Sequence, residues 1–234
     1  MKIVLHQLEI SPFCDKVRRT LHFKNLDYDV RNVPLGGLAS LKKLAPPGKA
    51  PILELDGKVL HDSSDICRAL EAVAPEPRLI PTDPRQRAMV DILEDWADES
   101  LYFFEMTMRF TWPQDRDRWV TEILKRDNPV MRVLGRPLVP YLTKKAGIEQ
   151  GIARRDEAAI LRELSRHVSD IAVLLESGDG YLVGGGVTLA DISVVAQLEC
   201  VAGSAAGLAL LREHPPVMGW LERIEAQTGG PAIR

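Results

Sequence analysis

The chain has 234 residues, 45% of them hydrophobic and 27% charged, which suits one large or two small globular units. A net charge of −3 offers no basic footprint for nucleic acid. The three cysteines, Cys14, Cys67 and Cys200, lack zinc-ligand spacing, and an odd, sparse set argues against a secreted disulfide scaffold.

Residues 2–6 read as a first strand, with only four residues of strand character before His6, too few for a signal peptide. Residues 12–24 read as a helix in which Phe13, Val17 and Leu21 share one face. Ser11 suits the N-cap, and Pro12 suits the first turn, where its missing N–H costs nothing. The stretch Ser11-Pro12-Phe13-Cys14-Asp15-Lys16-Val17-Arg18 is therefore a loop opening into a helix. Such a start presents free N–H groups and a partial positive charge. Residues 28–33 alternate as a second strand, and 38–45 suit a short helix stopped by Pro46-Pro47-Gly48. Residues 51–55 and 58–60 read as strands joined at Asp56-Gly57, a hairpin signal. Ser63 or Ser64 then caps a helix running to about Val73. The order βαβαββα implies a right-handed crossover and helices covering a small mixed sheet.

Residues 75–84 contain four prolines and read as a linker. No convincing strand follows. Asp83 and Pro84 open a long helix expected to reach about Phe110, with further helices near 116–126, 130–146, 153–176, 188–202 and 216–227. Thr188-Leu189-Ala190-Asp191 is a capping pattern with Asp at the third position. Prolines break the pattern across 113–152. No apolar run reaches the length of a membrane span, so the expectation is a soluble, cytoplasmic protein with no membrane partner.

Four stretches in this order resemble the cytosolic glutathione transferase superfamily. They are Ser11-Pro12-Phe13-Cys14 with its helix, Gly48-Lys49-Ala50-Pro51, Asp62-Ser63-Ser64-Asp65-Ile66, and Gly186-Val187-Thr188-Leu189-Ala190-Asp191-Ile192. The first and third also look like glutaredoxin-derived relatives, including the membrane-associated prostaglandin E synthase type. The resemblance implies an α/β thioredoxin-like N-terminal domain, residues 1–76, and an all-α C-terminal domain, residues 85–234. It further implies glutathione as co-substrate, a small hydrophobic electrophile, no metal, and a homodimer.

Ser11 stands where many family members carry the catalytic Ser or Cys, which makes it the expected thiolate-stabilising donor; the competing reading is a plain N-cap. A free thiol has a pKa of about 8.5, and lowering it by one unit stabilises the thiolate by about 1.4 kcal/mol. Cys14 is the alternative, as the thiol of a glutathione-dependent thiol–disulfide reductase; a buried, inert cysteine is the other reading. The resemblance implies a cis Ala50–Pro51 bond that frees Ala50 to pair with the tripeptide backbone like an added strand. Lys49 is either a contact to the glycine carboxylate or a solvated loop lysine. Ser63 is expected to take the γ-glutamyl carboxylate at a helix start, with Asp62 toward the ammonium, roles compatible with capping. Tyr102, Met106 and Arg109 share a helical face and are candidates for the electrophile pocket, although such stripes are more often core. A non-catalytic glutathione-binding module is the remaining alternative.

Overall fold

The computed structural model describes residues 1–177 and 179–230. Four strands, β1 (Ile3–Gln7), β2 (Asp29–Asn32), β3 (Ile52–Leu55) and β4 (Lys58–His61), form one mixed sheet in the order β2-β1-β3-β4. β1 pairs in parallel with β2, Leu5 against Val30, and antiparallel with β3, Leu5 against Leu53. β1 is buried along its whole length, whereas the edge strand β2 is exposed. The parallel β1–β2 pair is linked through helix α1 (Pro12–Phe23), and helix α2 (Ser63–Val73) follows β4.

Beyond residue 83 the described residues are helical: α3 (Pro84–Trp96), α4 (Tyr102–Thr111), α5 (Arg116–Leu124), α6 (Pro129–Gln150), α7 (Glu157–Ser177), α8 (Leu189–Ala202), α9 (Ala205–Arg212) and α10 (Pro215–Thr228). One continuous core joins sheet and helices: Ile3, Leu5, Val17, Leu21 and Leu53 share it with Leu101, Leu189, Ile192 and Trp220. Val17 and Leu21 carry the apolar face that the spacing predicts for α1, and both are fully buried.

Four local expectations change. The short helix expected at 38–45 is a 3-10 segment over Leu35–Lys43. The long helix expected over 84–110 is interrupted by a π-turn at Ala97–Leu101, which resets the face on which later side chains emerge. Across 113–152 the prolines do not break α6; Pro129 sits in its first turn and Pro137 and Pro140 lie inside it. Helix α9 was not expected; its signal is the Ser204 cap, whose Oγ accepts from Gly207 N at 3.0 Å.

Candidate active site

A cleft runs between the sheet end of the molecule and helices α3 and α4. It has two connected chambers, of about 380 and 370 Å³, which share Phe13, Lys49, Ala50, Asp98 and Glu99. Each is in the range of small-molecule sites. The first is further lined by Pro51, His61, Asp62, Ser63, Ser64, Glu94 and Asp95. The second is lined by Leu8, Ser11, Leu38, Tyr102 and Phe103.

Ser11 stands at the N-cap of α1 with φ −76° and ψ 128°, yet its side chain makes no capping hydrogen bond. Its backbone holds the loop instead: Ser11 N donates to Leu8 O and Asp15 N donates to Ser11 O, both at 3.0 Å. The hydroxyl is hydrogen-bonded with the Cys14 thiol instead of a helix N–H, and it lines the second chamber beside the helix start. Cys14, one turn further in, is wholly buried; burial pushes its thiol up to about 11, against the pull of Arg18. A thiol in that state is neutral at physiological pH and a poor nucleophile.

The Ala50–Pro51 bond is cis, and among the described residues Ala50 makes no backbone hydrogen bond, so its N–H and C=O face the cleft unpaired. Lys49 is exposed on the rim of both chambers. Asp62 adopts φ 71° at the N-cap of α2, where its Oδ1 accepts from Ser64 N at 2.9 Å and Asp65 N at 3.4 Å. Ser63, buried at the first helical position, has no partner for its N–H or its hydroxyl among the described residues, so both remain as donors.

Of the three residues expected around the electrophile, the cleft brings in one. Tyr102 lines the second chamber, its ring 4.8 Å from that of Phe13. Met106 does not: it is buried among Ile10, Phe110, Trp119 and Leu124. Arg109 does not either. It is buried, its guanidinium paired with Glu105 Oε2 at 2.5 Å and stacked on the Trp119 ring at 4.7 Å. All three follow the π-turn on one helix, so the turn does not separate them; only the first turn of α4 borders the cleft, and Met106 and Arg109 pack against Trp119 of α5.

Sequence reasoning missed the acidic wall of the first chamber, Glu94, Asp95, Asp98 and Glu99, and the lysine behind it. Lys16, on α1, is buried and pairs with Glu94, with Asp98 Oδ2 at 2.7 Å and with Ser64 Oγ at 3.1 Å. Burial opposes the Lys16 charge, but Asp98, Cys67 and Glu94 outweigh it and hold its pKa above the ordinary value. Burial also pushes the Asp98 carboxyl up, against the pull of Lys16. The network ties the starts of α1 and α2 to α3. Its one sequence signal is the i, i+4 spacing of Glu94 and Asp98.

Two family models match the chain: one described as the glutathione S-transferase N-terminal domain over residues 5–78, and one described as its C-terminal domain over residues 149–223. LigF of Sphingobium sp. strain SYK-6 is 28% identical over 206 residues, which are 82% of this chain and 75% of LigF. Glutathione S-transferase DHAR3 of Arabidopsis thaliana is 40% identical over 36% of this chain and 33% of its own length. Maleylacetoacetate isomerase of Rattus norvegicus is 34% identical over 40% and 46%. The chain thus spans less than half of these last two relatives. Among solved structures, β-etherase LigF superposes with a TM-score of 0.67 at 25% identity, covering 100% of this chain and 97% of LigF. FzlA from C. crescentus, at 23% identity and TM-score 0.68 over 99% and 92%, shares the fold. With both domain models matched in order on a thioredoxin-like sheet followed by helices, the chain belongs to the glutathione transferase superfamily.

Proposed function

We propose that the protein binds glutathione in the first chamber and holds its sulfur as a thiolate at Ser11, for attack on an apolar electrophile in the second. The observation that carries this is the Ser11 hydroxyl, which takes no capping role and lines the aromatic second chamber next to the polar first one. The unpaired Ala50 backbone and the Ser63 donors complement the tripeptide backbone and a carboxylate, and the acidic wall complements an ammonium. A hydroxyl donor and a helix N-terminus together supply the roughly 1.4 kcal/mol that lowers a thiol pKa by one unit. Phe13, Tyr102 and Phe103 offer the electrophile an aromatic wall.

The thiolate then attacks carbon and the leaving group departs with the bonding pair. An ether carbon fits this chemistry when its oxygen departs with the bonding pair and takes up a proton, and the similarity to the β-etherase LigF favours ethers as first substrates to test. Cys14 is the weaker nucleophile on its burial and raised pKa. A homodimer belongs to the same reading; exposed Val59 on β4 and Met89 and Ile92 on α3 offer apolar surface to a second copy.

The test is turnover of an aromatic electrophile and of a mixed glutathione disulfide by wild type, Ser11→Ala and Cys14→Ala. Loss of electrophile conjugation in Ser11→Ala alone supports the reading. Disulfide reduction lost in Cys14→Ala alone replaces it with the reductase, and glutathione binding with neither activity replaces it with a non-catalytic module.

A further inference from the structure

Helix α6 lies between the residues matched by the two family models, and its exposed surface is apolar. At 3.6 residues per turn, Val130, Val133, Leu134, Leu138, Tyr141, Leu142 and Ile148 all fall within about one half of the circumference of a helix about 33 Å long. Val133 is 71% exposed, Val130 66% and Tyr141 64%. A buried helix face would carry such residues inward. Here the inward face is built from Gly135, Val139 and Gly147 instead. A Cβ at Gly135 would stand 2.6 Å from the Leu124 side chain, and one at Gly147 would stand 2.9 Å from Ala153 Cβ. The helix is seated by small residues at close approach, and its large apolar residues are left outside.

The charges on α6 indicate what covers them. The helix carries Arg132, Arg136, Lys144 and Lys145 against a single carboxylate, Glu149, in a chain that is net negative. Lys144 and Lys145 are exposed and emerge on the same side of the helix as the apolar residues, among them, and Lys145 reaches Glu149 only at 3.9 Å. A second copy of the same helix would bring like charges together in either two-fold arrangement, because every half of α6 is cationic or neutral. None of the described cavities is lined by the stripe, so it forms a ridge rather than a pocket for anchoring side chains. An apolar ridge with two lysines standing among its apolar residues, long enough to reach headgroups while their stems stay on the ridge, fits a surface that is anionic outside and apolar just beneath. We propose that α6 docks the protein on the face of an anionic phospholipid bilayer, with the stripe sunk to the acyl boundary and Lys144 and Lys145 among the headgroups. The helix lies on the membrane; no single helix among the described residues is long and apolar enough to cross one.

The test is co-sedimentation of the full chain with phosphatidylcholine vesicles, with and without phosphatidylglycerol, at low and raised salt. Binding is expected only with phosphatidylglycerol and is expected to weaken as salt rises. Leu134→Glu with Leu138→Glu should weaken it about tenfold or more at unchanged melting temperature and glutathione binding. Lys144→Glu with Lys145→Glu, which leaves the stripe intact, should weaken it as well. The proposal is overturned if wild type does not sediment with anionic vesicles at low salt, or if the apolar variant binds them equally. It is overturned too if the apolar variant dissolves a dimer seen without lipid, which makes the stripe a self-interface. Capture by polyglutamate without vesicle binding transfers the face to an acidic protein and likewise overturns it.

Discussion

The starts of α8 and of α1 are both helix N-termini, yet they are finished in opposite ways. At α8 the Asp191 carboxylate is fully buried and accepts four hydrogen bonds: Leu182 N at 2.9 Å, Trp220 Nε1 at 3.0 Å, Thr188 N at 2.9 Å and Thr188 Oγ1 at 2.7 Å. Both oxygens are occupied, and the cluster ties α8, α10 and the preceding loop into one core. At α1 the cap residue Ser11 makes no side-chain bond to the helix N–H groups and its hydroxyl meets only the Cys14 thiol, and at α2 neither the N–H nor the hydroxyl of Ser63 has a partner among the described residues. The lesson is that an occupied helix start holds the fold, while an unoccupied one beside a cavity is available to a ligand.

The sharpest break of this comparison is Asp191→Ala. It strands Leu182 N–H, Thr188 N–H and the Trp220 indole N–H in the core, at about 1–3 kcal/mol each. We expect at least about 3 kcal/mol of lost stability in urea unfolding, or failure to fold. Ser11→Ala should do the reverse. With no cap bond to lose it should cost less than about 0.5 kcal/mol, while glutathione conjugation falls about tenfold or more. Steady-state turnover beside a thermal melt separates the two effects.

Asp62→Ala lies between these extremes, because Asp62 caps α2 and also lines the cleft. It should cost about 1 kcal/mol of stability and weaken glutathione binding measured by calorimetry. Cys14→Ala should have the least effect on turnover. Its readout is instead pH. The folded state holds the Cys14 proton up to about pH 11, and the unfolded chain releases it near the ordinary 9.0. The stability this contributes is complete below pH 9 and is lost as pH rises toward 11. The melting temperature should therefore fall over that window, and fall less in Cys14→Ala; Cys67, also raised to about 11, and Cys200 and Tyr102, which burial raises further, contribute to the rest.

Much of this was legible in the residues. The strand order, the hairpin at Asp56-Gly57 and the starts at Ser11, Asp83 and Thr188 follow from local chemistry that tertiary contacts do not override. The cleft around Ser11, Ala50, Asp62 and Ser63 was legible for the same reason, since turn and cap residues must stand at chain reversals. The faces of α4 were not. Tyr102, Met106 and Arg109 share a stretch of α4, but only its first turn borders the cleft, so Met106 and Arg109 were expected there and are packed against Trp119 of α5 instead. The Lys16–Glu94–Asp98 network was also hidden, because it joins residues far apart in the chain that only the packing of α1 on α3 brings together. The helix expected near 130–146 runs through Pro137 and Pro140 as α6, from Pro129 to Gln150; its outer side is open to solvent at Pro137.

The most direct measurement is a pH titration of the ultraviolet thiolate band of glutathione bound to wild type and to Ser11→Ala. A midpoint at least about one unit below the free thiol value in wild type, moving back toward that value in Ser11→Ala, is the expected result. A bound thiol that titrates like the free one in both proteins would contradict the account.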